Sequence, residues 1–372
     1  MLVLSALSYH PLFADTVTEN AARNPLSKYI ILLAVVNIII SVDLQGWMRC
    51  LFIKRFLLLS LLSFFSFWIL SVVFLNVNYS DAVNILMALS FILIGYSLKG
   101  SNQCWGVISF IYALVLLYSC FMQIQQNLGG FVIQDVYMQY GKNQLGLMTS
   151  TVAVVFSSFT IICEKRYVKV VVFCIAIIAL LFTITIRARA AFLTTFLIIL
   201  FLLSKQLSKI QSQEHKVRFL FLTLIVFVLL LSSPTIMDYI FNSFMQNQGD
   251  DLSSGRIERN YMAMDIINAS PFFGNLEINA VYPTIHNYVL RIMADYGFVG
   301  AFFLLSLYLY FGFYVCKSAF KSEAKFDNVG VLAILLPLIL SFEEPTYPYA
   351  PGTAVVYPFL LFGMSLNRRT II

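Results

Sequence analysis

Apolar residues run in long stretches along this chain, parted by short clusters of charge, Gly, Asn and Ser. The stretches fall near 2–13, 28–42, 56–77, 82–98, 104–124, 145–163, 168–186, 190–204, 219–233, 298–316, 329–342 and 354–366. The longer ones hold the roughly 20 residues that carry a helix across about 30 Å of hydrocarbon. A membrane barrel would instead alternate apolar and polar positions over about ten residues. The pattern predicts an all-α polytopic membrane protein with about 12 transmembrane helices. The first stretch is short and weak; if it lies in the interface, the count is 11. The stretch at 190–204 is also short. No Pro/Ser-rich linker or basic tail breaks the series, so residues 1–372 read as one transmembrane domain. Its largest polar segment is the loop 234–297, between the ninth and tenth spans.

Composition agrees with this class. Mean hydropathy is +0.85, and charged residues make up 11%, against about 25% in soluble domains. The six cysteines, Cys50, Cys104, Cys120, Cys163, Cys174 and Cys316, lie in or beside apolar runs with no metal-ligand spacing. No disulfide framework, zinc site or cofactor is indicated, and nothing points to a nucleic-acid partner.

The distribution of charge says more than its sum of +6. With the N-terminus in the cytoplasm, alternate loops on that side hold 16 of the 24 basic residues, among them Lys165, Arg166, Lys169, Lys205, Lys317 and Lys321. The opposite side keeps Arg23, Lys28, Lys142, Arg187, Arg189, Arg256, Arg259 and Arg291. Basic residues collect on the cytoplasmic side of membrane proteins. Both termini are therefore expected inside, and the 234–297 loop outside, facing the periplasm if there are two membranes. Chemistry at that loop needs a substrate activated before export.

Within the loop, Ser253 or Ser254 reads as a helix N-cap. Ile257, Tyr261, Met264 and Ile267 or Asn268 follow at helical spacing, and Pro271 ends the stretch. This predicts an amphipathic helix over about 255–269, lying along the membrane surface. Arg256 falls in its first turn, where exposed N–H groups favour an anion, and Arg259 follows at i+3. A second helix is predicted from near Thr284 to Gly297 as its C-cap, with His286 in its first turn and Asn287 beside it.

Arg187 and Arg189, in TIRARAAF, interrupt two apolar runs with almost no loop. Charge at membrane depth costs at least about 2.5 kcal/mol per residue. Arginine's planar fork matches phosphate oxygens bidentately, so anion binding is one reading and lipid-headgroup pairing the other. Lys142, Asn143 and Gln144 open the span at 145, as binding residues or as helix caps. His286 has the unperturbed pKa, near 6.5, of a general base at neutral pH; the other reading is a satisfied surface residue. Arg259 and Arg291 read first as ion-pair partners of acids such as Glu258 and Asp295. Glu343 and Glu344 read first as a solvated loop, with sugar binding or an alternative base second. His10 and His215 read as structural.

The ordered set GKNQLG (141–146), RARAA (187–191), SGRIERNY (254–261), SPFFGN (270–275) and IHNYVLRIMADYGFVG (285–300) resembles the O-antigen polymerase and O-antigen ligase superfamily of bacterial inner-membrane glycosyltransferases. The motifs cover roughly residues 140–300. Arg189, Arg256, His286, Asn287, Gly297 and Gly300 match the family pattern. The family's Ser before the first arginine is Ala188 here, which leaves Arg187 and Arg189 both open as the family arginine.

The resemblance implies a metal-independent transfer of an oligosaccharide from undecaprenyl pyrophosphate. Arg189, Arg256, Arg187 and Arg259 would hold the pyrophosphate. His286 would be the catalytic base, and Asn287, Asn143 and Lys142 would position acceptor or sugar. Partners would be the lipid-linked oligosaccharide and a chain-length regulator and flippase of the same pathway. A polymerase is favoured because the chain is compact; a ligase transferring the glycan to lipid A-core is the alternative. A multispan transporter or flippase is the third reading, and no repeat relating the two halves of the chain supports it.

Overall fold

The computed structural model describes residues 1–13, 25–41, 79–98, 102–128, 142–186, 188–209, 213–214, 217, 255–274, 285–321, 327–344, 348–349 and 352–369. The expected spans at 56–77 and 219–233, Arg187, His215, and most of the loop before residue 255 lie outside them.

All regular structure among the described residues is helical. In chain order the helices are α1 (Leu2–Leu7), α2 (Pro25–Ser41), α3 (Tyr79–Ser97), α4 (Asn102–Leu128), α5 (Lys142–Ile162), α6 (Arg166–Thr185), α7 (Arg189–Lys209), α8 (Arg256–Ala269), α9 (Tyr288–Lys321), α10 (Asp327–Leu340) and α11 (Gly352–Arg369). Every apolar run that falls within the described residues, apart from the first and the one at 298–316, is a helix within about five residues of its expected bounds; the latter lies inside the longer Tyr288–Lys321. The first is different. α1 has six residues, about 9 Å at 1.5 Å per residue, and turns follow it to Phe13. By itself it is too short to cross a bilayer.

Burial follows from where apolar side chains can find each other. Val152–Phe156 of α5, Val331–Ile334 of α10 and Val356–Leu361 of α11 are buried throughout, so these helices form the middle of the bundle. α10 packs on α5, α7, α9 and α11. The outer helices carry apolar stripes that face outward. On α4 these are Val107, Ile111, Leu114 and Tyr118, and on α7 Leu193, Leu197 and Leu200. Both series step by four and three, the spacing of one helix face. Contiguous apolar surface on this scale is not left open by soluble monomers; lipid is the solvent that tolerates it.

Among the described residues, two helices have the length and apolar content to cross a membrane, α4 through Cys104–Gln126 and α6 through Tyr167–Ile184. α9 joins them if its halves, Tyr288–Phe302 and Leu304–Lys317, count as one broken span; the two meet at 92°.

Between α3 and α11, close approach depends on glycine at two positions. α3 and α11 cross so tightly that a Cβ on Gly95 would lie 2.0 Å from the Leu360 carbonyl oxygen, and one on Gly363 2.0 Å from that of Ile92. Small residues let membrane helices pack backbone to backbone in this way.

Candidate functional site

Three segments far apart in sequence meet where α8, the start of α9 and the end of α10 come together. α8 begins at Arg256 as expected, but its N-cap is Gly255, in the left-handed region at φ 74°. Ser253 and Ser254, expected as caps, lie outside the described residues. Ala263, Ile266 and Ile267 of α8 bury themselves against Ile285, Leu290, Met293 and Ala294. That apolar contact fixes α8 on the first half of α9.

α9 starts later than the sequence suggests. Its first helical residue is Tyr288, so His286 precedes the helix instead of lying in its first turn. The cause is Asn287, which acts as the N-cap. Its side-chain carbonyl accepts the Leu290 N–H at 3.1 Å, and its amide donates to the Phe342 carbonyl at 3.3 Å. The Tyr288 N–H donates to the Ser341 carbonyl at 2.9 Å. The turn after α10 therefore satisfies one of the donors that a helix start leaves orphaned. His286 is half-buried, and its Nδ1 is shielded from solvent.

The same turn supplies two carboxylates. Arg256 donates to Glu343 and, from its other terminal nitrogen at 3.4 Å, to Glu344. Glu344 keeps only 13% of its side-chain exposure and Arg256 24%. The solvated-loop reading is thus corrected for Glu344, while Glu343 pairs with Arg256 and keeps 47% of its side-chain exposure. One guanidinium and two carboxylates sum to −1, so in this state the arginine is already compensated.

Beneath the turn lies a tyrosine cluster. Tyr288 sits 5.4 Å from Tyr308 and 5.9 Å from Tyr349, ring centre to ring centre. Ser341 donates to the Leu338 carbonyl at 2.5 Å, which leaves Tyr308 as donor in its 2.6 Å contact with Ser341. Burial, with Tyr288 and Tyr308 beside it, holds the Tyr349 phenol well above its ordinary value. Arg291 pairs with Asp295 at 3.3 Å, one turn on and nearly buried, as expected, and lies 5.9 Å from the Tyr288 ring centre. None of Tyr288, Tyr308, Ser341 or Tyr349 is visible in the sequence as site-forming, because each comes from a run that reads as plain span or loop.

The SPFFGN and YGFVG motifs also meet. Gly297 leaves helical geometry at φ 62° and ψ −173°, so one helix ends there as expected and α9 is two helices joined at this residue. The turn Ser270–Gly274 docks into the break. Phe298 N–H donates to the Pro271 carbonyl at 2.7 Å and Val299 N–H to that of Phe272 at 3.0 Å. A Cβ on Gly297 would lie 2.4 Å from the Phe272 and Phe273 backbone, and one on Gly274 2.5 Å from that of Asp295.

A second junction brings together the backbone segments that carry Lys142, Asn143 and Arg189. Gly146 of α5 packs on the start of α7, where an added Cβ would come 2.5 Å from the Ala188 methyl. Ser150 Oγ donates to the Ala191 carbonyl at 3.2 Å. GKNQLG and RARAA are thereby brought together. Arg189 opens α7 and is half-buried; Lys142 opens α5, with Asn143 next. Arg259 is half-buried on α8. His10 stacks on Tyr118 at 5.4 Å and accepts the Leu12 N–H, a structural placement. No family model matches the chain, and no curated protein matches it.

Proposed function

We propose that the chain is a glycosyltransferase of the bacterial inner membrane: an O-antigen polymerase that joins oligosaccharide repeat units carried on undecaprenyl pyrophosphate. Its polar junction faces the periplasm and about eleven crossings surround it, α1 being too short to add one; the C-terminus lies in the cytoplasm and the N-terminus on the outer side. The observation that carries this reading is the convergence of SGRIERNY, IHNY and SFEE on one junction beside an apolar helix bundle. A base candidate and an anion-binding candidate from separate motifs come within a few residues of each other there.

In the reaction, the acceptor hydroxyl oxygen forms a bond to the anomeric carbon of the donor. The bond from that carbon to the pyrophosphate oxygen breaks, and undecaprenyl pyrophosphate leaves. His286 takes the hydroxyl proton. Arg256 exchanges its carboxylate partners for pyrophosphate oxygens, which match its fork equally well, and stabilises the charge growing on the leaving group. Arg189, Arg187 and Arg259 add positive charge for the same anion. Glu343 and Glu344 keep Arg256 aligned until the donor arrives.

A ligase would use the same residues on a lipid A-core acceptor. The lipopolysaccharide of a deletion strain separates the readings. One repeat unit on the core indicates the polymerase. Bare core with lipid-linked polymer accumulating indicates the ligase. Neither phenotype returns the transporter reading. In the polymerase case His286→Ala and Arg256→Ala abolish long chains at normal protein level; wild-type chain length in either variant removes that residue from the mechanism.

A further inference from the structure

α8 has three faces, and among the described residues one of them packs against the rest of the protein. Ala263, Ile266 and Ile267 pack inward on α9. Ile257, Tyr261 and Met264, at i, i+4 and i+7, form a second apolar face that is open, with Tyr261 70% exposed. Ile267, expected in that stripe, belongs to the buried face. Glu258 and Asp265 are exposed along a third edge. Immediately after α8, Phe272 and Phe273 are 63% and 61% exposed, and the backbone hydrogen bonds to Phe298 and Val299 hold their turn in place.

The geometry of α9 says what covers this surface. Its second half starts at Leu304 and runs to Lys321, 18 residues or about 27 Å, close to the ~30 Å hydrocarbon thickness. It exposes Leu309 and Phe313, as a lipid-facing helix does. With that half along the membrane normal, the 92° bend turns the stretch Tyr288–Phe302, itself broken at Gly297, toward the membrane plane, and α8 packs on the part of it before Gly297. The exposed Phe298 and Phe302 lie between the break at Gly297 and the bend before Leu304.

We propose that α8 and the Ser270–Gly274 turn form a bilayer-inserted platform at the membrane–water interface. Ile257, Tyr261 and Met264 face the acyl chains, Phe272 and Phe273 act as the apolar wedge, and Glu258 and Asp265 point to water. The occupant is lipid, because the open apolar face adjoins a span whose outer face is already lipid-exposed. An aromatic at headgroup level and acids on the aqueous edge are the composition of an interfacial helix. This platform is independent of the reaction assigned above. It sets the depth of Arg256, one residue from Ile257, at the level of lipid headgroups.

The test uses the full chain in phosphatidylcholine–phosphatidylglycerol vesicles, with the six native cysteines replaced by serine or alanine. Single nitroxide labels go on Met264→Cys, Phe272→Cys, Glu258→Cys and Asp265→Cys. The ratio of collisions with oxygen to collisions with a water-soluble nickel chelate is expected to be several-fold higher at 264 and 272 than at 258 and 265. Equal ratios at all four positions overturn the platform. Labels at 264 and 272 shielded from both reagents also overturn it, since a protein surface would then be the occupant. Tyr261→Trp in the chain with its own cysteines gives a second measurement. Its added fluorescence is expected to be quenched by lipids with nitroxide near the headgroup and spared by aqueous iodide; the reverse order rejects lipid burial.

Discussion

Arg256 is held by Glu343 and Glu344 at the junction of α8 and the turn after α10, and this makes its role separable from theirs. If the arginine only fastens the turn to α8, removing either side of the contact has the same effect. If it binds the donor, the effects differ. Arg256→Ala is expected to lower transfer about 10²–10³-fold, the range found when one donor to transition-state charge is removed. The double change Glu343→Ala and Glu344→Ala removes the other side of the contact and is expected to lower it by less than about tenfold, because the arginine is released to the anion. In vitro extension of lipid-linked repeat units by both variants reads the difference; matching losses would falsify the donor-binding role. Asn287 belongs to the same scale. Its cap and its tie to Phe342 place His286 just outside the helix. Asn287→Ala is expected to cost about 1 kcal/mol of local stability, while Asn287→Asp keeps the cap.

At the scale of elements, the clasp between the Ser270–Gly274 turn and the break in α9 is the most demanding local arrangement. Gly274 and Gly297 both have positive φ, and each faces the other's backbone within 2.5 Å of an added Cβ. Gly297→Ala and Gly274→Ala are each expected to destabilise by at least about 2 kcal/mol, from the left-handed backbone alone plus the displaced chain. Denaturant titration in lipid nanodiscs measures this. Gly363→Leu is expected to push α11 off α3 and lower the melting temperature more than Gly312→Leu, since nothing lies within 4 Å of a Cβ at Gly312. Helix existence was legible from the apolar runs, and α8 to within a residue, because Pro271 and the period of 3.6 mark it locally. The start of α9 was not, because its cap partners come from residues 341 and 342, more than fifty positions away. The carboxylate grip on Arg256 was hidden for the same reason: an adjacent acid pair in a loop reads as solvated until the fold brings a cation to it.

For the molecule as a whole, composition alone announced a helical membrane protein, and outward apolar stripes on α4 and α7 agree. Sidedness rests on the sorting of basic residues. Alkaline phosphatase fused after Asn275 is expected to be active, and fused after Lys169 inactive; the opposite pattern inverts the orientation. The absence of clustered His and Cys spacing in the sequence leads to one further expectation, that transfer persists in excess EDTA; loss of activity restored by magnesium would reject a metal-independent reaction. The clasp has a consequence at this scale too. Phe298 and Val299 give their amide protons to carbonyls of the 270–274 turn, so neither segment can open without exposing the other's polar groups. Residues 256–274 and 285–302 should therefore come apart as one cooperative unit. In deuterium exchange their amides share a single opening free energy, below that of α5 and α10, so loosening the turn exposes the residues around His286 at the same moment.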